Sequence, residues 1–194
     1  MSPVRPLRFD ELDPSLADVL RPRYERLGYL GGFFTHMGHQ PDALAAFERF
    51  TLACRNALPV NLAETIALSA ATRLGNDYER HQHEHLAVRS DMSADWIADV
   101  ELLAPDHARL MDDLERACQR FVLAAIDHLG RAGAGSDELA AVADLSDDST
   151  TAGVALLTAR FIGHAVVSTA CDLTPPVPSI FPAPSTIEGD SHAH

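Results

Sequence analysis

Cysteine is scarce in this sequence. Its 194 residues hold three, Cys54, Cys118 and Cys171, far apart and odd in number. No two of them form a C-x-x-C, so neither a disulfide framework nor a vicinal redox pair is encoded, and buried structural thiols in a reduced, cytoplasmic setting are expected. Positive charge is also scarce, 15 Lys and Arg against 28 Asp and Glu, for a formal net charge of −13. That balance argues against nucleic acid and against an anionic membrane surface, both of which need a basic patch. The acidity itself serves solubility. A long apolar run and a basic-plus-apolar leader are both missing, so neither a membrane span nor a secretory signal is expected. Strict apolar/polar alternation and β-branched clusters are missing too, which leaves helices throughout.

What is present is alanine and leucine in helical spacing, with 46% hydrophobic residues against 22% charged. This composition predicts an all-α bundle of about seven to eight helices. One domain over residues 1–174 and a Pro-rich, flexible tail over 175–194 are expected, with His192 and His194 in that tail. Asp13 and Pro14 predict a first helix from Pro14 to Leu27, broken by Gly28, Gly31 and Gly32. Phe33 to Gln40 reads as an aromatic loop or turn. Further helices are expected over Pro41 to Ala57, Asn61 to Leu74 with Gly75 as C-cap, Asp77 to Ser90, and from the Ser93 cap to Leu103. A long helix opened by Pro105 and Asp106 and running to Leu129, a short one over Asp137 to Ala143, and a last one from Asp148 to Leu173 complete the set.

The segment Asn61 to Ala87 is the one that can carry chemistry. At 100° per residue, Asn61, Thr65, Ser69, Thr72 and Arg73 share a polar arc, and Glu64 falls outside it beside Ala67, Leu68 and Ala71. A carboxylate turned towards small packed residues needs a partner or titrates high, which suits acid–base work near neutral pH. On the next helix Glu79, His83 and Leu86 form one stripe, with Leu86 and Ala87 marking its inward side. His81 and His85 form a second i, i+4 pair on a different face. Asn76 stands at that helix's N-terminus, where free N–H groups favour a negative group such as a substrate carboxylate. The alternatives are structural. Asn61-x-x-Glu64 and Asn76-x-x-Glu79 both fit a capping-box pattern, and His83 can be a hydrogen-bonded core residue. His81, His83 and His85 alternate between faces and can be solvated surface residues, and the pair His81 and His85 lacks a third ligand for zinc.

Glu64, then Leu74-Gly75-x-x-Tyr78-Glu79-x-x-x-His83, then Ala87, resembles the signature of the carboxymuconolactone decarboxylase / alkylhydroperoxidase D-like family. Gly28 with Phe33 and Phe34, Pro41, Leu58-Pro59 and Asp91-Met92-Ser93 extend the resemblance over most of the chain. In that pattern a glutamate, here Glu64, precedes a Gly-Cys-x-x-Cys-x-x-x-His segment. The cysteine positions fall on Asn76 and Glu79 and the histidine position on His83. The resemblance implies an alkylhydroperoxidase D-like bundle and a homo-oligomer. Without the thiols, disulfide exchange is impossible, so a thiol peroxidase is not expected.

Three readings follow for a small-molecule substrate. The first is an enzyme without a cofactor that acts on a carboxylate or lactone by proton transfer, as a decarboxylase, isomerase or related lyase. It would use His83 and Glu79 for protons, Glu64 for orientation, Tyr78 beside them, and Asn76, Phe33 and His36 for substrate. The second is a metal-dependent enzyme with Glu64, Glu79 and His83 holding a divalent transition metal. The third is a non-catalytic ligand-binding or assembly protein with a decayed site. Pocket shape rests on Phe33, Phe34, His36, Met37, Trp96 and His164.

Overall fold

A computed structural model describes residues 2–181. It is all-helical, and among the described residues no strand occurs. After a 3₁₀ turn at Phe9–Glu11 come α1 (Pro14–Leu27), α2 (Gly32–Met37), α3 (Pro41–Asn56), α4 (Val60–Arg73), α5 (Asp77–Arg89), α6 (Ala94–Glu101), α7 (Asp113–Asp127), α8 (Ser136–Leu145) and α9 (Asp148–Ala170). Asp13 caps α1 by accepting the Ser15 N–H, with Pro14 in the first turn as the sequence suggested.

The bundle is built around α4, which packs against α5, α6, α7 and α9. Every residue from Leu62 to Ala71 on this helix is buried. A helix covered on all sides has no solvent arc, so Thr65 and Ser69 are interior rather than polar-face residues. Ser69 is satisfied there by the side-chain amide of Gln119 on α7, at 2.9 Å. Three apolar clusters surround this axis. One joins α4 to α7, α8 and α9 through Leu62, Ile66, Phe121, Val142 and Leu157. Another holds α1, α2 and α3 together through Leu16, Leu20, Phe33, Phe34 and Leu44. The third joins Leu68 and Ala87 to Trp96, Ile97 and Met111.

The sequence reading and the structure differ in four places. Phe33 to Met37 is helical, and only Gly38 to Gln40 form a turn: α2 forms because Phe33 and Phe34 bury against α3 and Tyr78, and because Thr35 and His36 both hydrogen-bond the Gly32 carbonyl. The helix expected from Pro105 starts at Asp113 instead. There Asp112 and Glu115 close a capping box, while Asp99 accepts the Arg109 and Leu110 N–H groups at 2.7 Å each and holds the preceding stretch in turns. The last helix stops at Ala170, where Asp172 takes a left-handed φ of 51°. That helix is also the long apolar run the sequence was read as lacking. By length and composition α9 suffices to cross a membrane, yet it packs on α3, α4, α7 and α8 and carries Arg160 and His164 into the interior.

The Pro-rich segment is non-helical, as expected, but residues 177–181 are laid against α5 rather than loose. His81 and His85 donate ring N–H groups to the Val177 and Pro178 carbonyls, at 3.2 and 3.0 Å. Glu84 accepts the Ser179 hydroxyl and the Ile180 N–H, both at 2.7 Å. Ile180 and Phe181 then cover the Trp96 cluster. Residues 182–194, with His192 and His194, lie outside the described residues.

Candidate active site

The site forms where α4, α5 and α9 meet under α2 and α3. Glu64 on α4 is fully buried, and neither capping-box alternative is realised. Pro59 is the N-cap of α4, and the Asn76 side chain makes no cap hydrogen bond on α5. The Glu64 carboxylate instead accepts from His83 Nδ1 at 2.6 Å through Oε2, and from Arg55 of α3 at 2.8 Å through Oε1. A carboxylate has no proton to offer here, so the bond fixes the proton on Nδ1 and leaves Nε2 of His83 as the free acceptor. The imidazole stands edge-on to Phe161, with ring centres 5.1 Å apart.

Glu79 lies one turn before His83, on the same face of α5. Its Oε2 is 2.5 Å from Arg160 Nη1 and 3.8 Å from His83 Nε2, and its Oε1 is 3.3 Å from His164 Nε2. Burial works to raise this carboxyl's pKa, but Arg160 and the two histidines outweigh it, so Glu79 is held ionised below the usual carboxylate range. His164 moves the other way. Burial, opposed by Glu79 but reinforced by Arg160, pushes its pKa down to about 4 and leaves it neutral at physiological pH. Arg160 is further fixed by its Nε–H to Thr51 Oγ1 at 3.2 Å and by lying over the Phe161 ring at 4.5 Å.

These groups line a cavity of about 60 Å³. It brings together Tyr78, Glu79, His83 and Phe33 from the expected set, with Phe34 and His164, and Glu64 stands directly behind His83. It does not bring in Asn76 or His36. Asn76 is buried, accepts the Ser168 hydroxyl at 3.2 Å, and faces a separate groove beside Leu173. His36 is turned back onto the Gly32 carbonyl at 2.7 Å. Met37 packs in the α1–α3 cluster and Trp96 in the α6 cluster, away from the cavity. Tyr78 lines the cavity but spends its oxygen on the Phe33 N–H at 3.1 Å. Burial pushes its phenol up to about 12, so it positions Phe33 and keeps its proton at neutral pH.

Read as a metal triad, the arrangement does not fit. Among the described residues, no group of three or more His, Cys, Asp or Glu is placed to hold a metal ion. Glu64 and His83 face each other, and arginines occupy both carboxylates. The three cysteines are free and buried. Burial raises the Cys54 thiol, and raises Cys118 to about 12, which disfavours the thiolate at both positions.

Arg55, Thr51 and Arg160 were not picked out from the sequence, and His164 was named only for pocket shape. Arg160 did carry a signal. It is the only Asp, Glu, Lys or Arg between Ser149 and Ala170, and a lone charge on an apolar helix that packs on both sides has to meet a counter-charge inside.

No protein-family model matches the chain, and no curated protein matches it by sequence. Solved structures do match it. The debrominase Bmp8 in its apo form superposes with a TM-score of 0.75 at 20% identity, over 90% of this chain and 92% of that one. A cysteine-to-alanine variant of Bmp8 in complex with 2,3,4-tribromopyrrole gives 0.74 at 21% identity, over 90% and 91%. The alkylhydroperoxidase AhpD core of a peroxidase-related protein from Ralstonia eutropha JMP134 gives 0.71 at 18% identity, over 90% and 92%. At these identities the likeness speaks for the backbone arrangement and not for the reaction. The chain therefore has the all-helical alkylhydroperoxidase D-like fold.

Proposed function

We propose that this protein is an acid–base enzyme acting on a small carboxylate or lactone, a decarboxylase, isomerase or related lyase, and not a thiol peroxidase. The observation that carries the reading is the 2.6 Å bond from His83 Nδ1 to the buried, arginine-backed Glu64 at the wall of an aromatic cavity. That bond sets the tautomer and ring orientation, so Nε2 is the atom that takes or gives a proton. In isomerisation, Nε2 removes a proton from the carbon beside the substrate carbonyl and returns it to a neighbouring carbon. In decarboxylation, Nε2 first takes up a proton from solvent; the carbon–carbon bond then breaks, its electron pair stays on the substrate, CO2 leaves, and that proton passes from Nε2 to the vacated carbon, which returns the ring to its neutral form. In either case the charge formed on the imidazole faces the Glu79 carboxylate across 3.8 Å, an opposite charge fixed in place before the reaction.

Arg55 is one-third exposed and is held on Glu64 through one of its nitrogens, which leaves N–H groups for a substrate carboxylate. Phe33, Phe34 and Phe161 suit a flat, partly apolar body. A small planar ligand is also consistent with 2,3,4-tribromopyrrole in the Bmp8 complex. The cavity admits the reacting end of a small molecule rather than a large ligand. No metal or redox cofactor enters this scheme, and the chain is expected to work in the cytoplasm as a homo-oligomer.

The test is mass spectrometry of small acids from a cell extract incubated with wild type, His83→Ala or Glu64→Gln, each with and without a chelator. Wild type is expected to consume an acid or lactone with loss of CO2 or with no mass change. His83→Ala is expected to be inactive and Glu64→Gln slower by about 10²–10⁴-fold, the range of a general acid–base contribution. Equal turnover by wild type and His83→Ala would end this reading, and loss of activity with chelator would replace it with a metal-dependent one.

A further inference from the structure

One side of α9 is left uncovered by the described residues. Ala152, Leu156, Ala159, Gly163, Val166 and Ala170 recur there at helical spacing and are all exposed, Leu156 by 50% and Val166 by 65%. On α3 a second exposed stripe, Ala46, Phe50, Ala53 and Ala57, is equally free of charge, and Asp42 and Arg49 fall at its outer margin. The two helices lie side by side and antiparallel: Phe47 lies 6.3 Å from His164, Thr51 bonds Arg160, and Leu58 lies against Gly153. At about 100° per residue, each stripe precedes the residues that face the other helix by about a quarter turn. With antiparallel axes, that shared sense of rotation brings both stripes out on one side as a single apolar face.

Charge, shape and area each fit this face to a second copy of the chain. Every copy carries a net charge of −13, so two copies repel except where acid is absent. Between Ser149 and Ala170 the single charged residue is Arg160, and it is turned inward to Glu79. In shape, Ala159 and Gly163 make a shallow centre on α9, and Leu156 and Val166 stand equally far from it on either side. The pattern maps onto itself when the helix is reversed, as a two-fold contact requires. Gly163 lowers the helix propensity of α9, yet a Cβ there would meet nothing within 4 Å in its own chain. The missing side chain makes room for a helix that approaches from outside. In area, the run from Ala152 to Ala170 is about 27 Å long and two helices are about 20 Å wide, so the face measures about 500 Å² per copy. Closing two copies on it buries about 1,000 Å², where specific interfaces begin.

We propose that two copies of this chain form a two-fold dimer through the α3–α9 face, with the two α9 helices crossing at Ala159 and Gly163. The inference rests on the homo-oligomer expected above and assigns its contact; it does not depend on the reaction. It ties assembly to the site, because the inner sides of the same two helices carry Thr51, Arg55, Arg160 and His164 to the cavity.

The test is sedimentation velocity of the full chain over about 1 to 100 µM, a span that brackets the affinity expected of a small interface. Wild type is expected to reach twice the 21.0 kDa of one chain. Gly163→Glu places like charges across the contact and is expected to raise the dissociation constant at least about hundredfold. Its own fold is spared, since the new side chain enters open space and replaces a helix-weakening glycine; unchanged circular dichroism and Trp96 emission check this. Val88→Glu adds the same charge at an exposed position on α5 and is expected to leave the dimer intact. Wild type that stays monomeric throughout, whether or not it floats with phosphatidylcholine vesicles, would remove the homo-oligomer itself. An oligomer that survives Gly163→Glu, or that Val88→Glu dissociates equally, would overturn the assigned face while leaving the oligomer standing, so the two failures are told apart.

Discussion

Arg160→Met removes the cation that keeps Glu79 charged and leaves a side chain long enough to fill the arginine stem. In the intact protein Arg160 Nη1 sits 2.5 Å from Glu79 Oε2, with 8% and 7% of the two side chains exposed. Removing one partner of such a buried pair costs about 3–5 kcal/mol, because the remaining charge is stranded in the interior. The loss should depend on pH, with a sign that follows from the direction of the shift. Glu79 in the folded protein lies below its ordinary value of 4.5, so its contribution is present above that pH and is lost only as pH falls through the depressed folded value. Without Arg160 the burial penalty, which raises the carboxyl, is met only by the two histidines. The folded value then lies above the unfolded one, and stability is lost as pH rises through it. Urea unfolding followed by Trp96 fluorescence should show a gap between variant and wild type that is already present near pH 5, where wild type holds the full Glu79 contribution, and that widens to about 3–5 kcal/mol near pH 8. The pair Glu79→Leu/Arg160→Met should regain most of the loss, since apolar residues replace buried ion pairs at little cost. A gap of the same size at both pH values, or one under about 1 kcal/mol at pH 8, would refute the reasoning.

Two further outcomes concern the opposite face of α5. Burial, with Glu84 close by, raises the Glu101 carboxyl to about 7, so the stability it contributes is full below its ordinary 4.5 and is lost as pH rises through 7. Glu101→Gln should therefore flatten the fall in melting temperature between about pH 5 and pH 8, by an amount worth about 1–2 kcal/mol after allowance for solvent screening; an unchanged slope contradicts the assignment. Ending the chain at residue 176 removes the Ser179 and Ile180 bonds to Glu84 and uncovers the Trp96 cluster. Emission from the single tryptophan should move to the red and stability should fall by about 2–4 kcal/mol, the worth of two buried apolar side chains with lost charge-assisted bonds. Unchanged emission would mean that the segment does not cover Trp96 in solution.

Much of the helical layout was legible because its signals are local. Asp13-Pro14, Gln40-Pro41, Ser93 and Asp147 each start a helix where the chain supplies a capping oxygen or a fixed φ. The misread stretches are those where distant residues decide. Phe33 and Phe34 became helical through Tyr78, 45 and 44 positions on, and residues 105–111 stayed out of α7 because Asp99 captured the Arg109 and Leu110 N–H groups. In the site, Glu64 and His83 were legible from helical phase. Asn76 and His36 were not, because a position at a helix end or in a short turn says little about which cavity, if any, it faces.

By itself, the sequence determined an all-helical chain without a redox thiol pair, and it turned one carboxylate and one histidine inward on adjacent helices. Periodicity and capping act over a few residues, and the absence of a cysteine pair needs no geometry at all. Only the tertiary structure decided which charges meet. Arg55 reaches Glu64 across 9 positions, Arg160 reaches Glu79 across 81, and His164 comes down on the same carboxylate from the last helix. Those pairings depend on how α3 and α9 cross α4 and α5. The crossing is set by the summed packing of side chains from every part of the chain, which no local window contains.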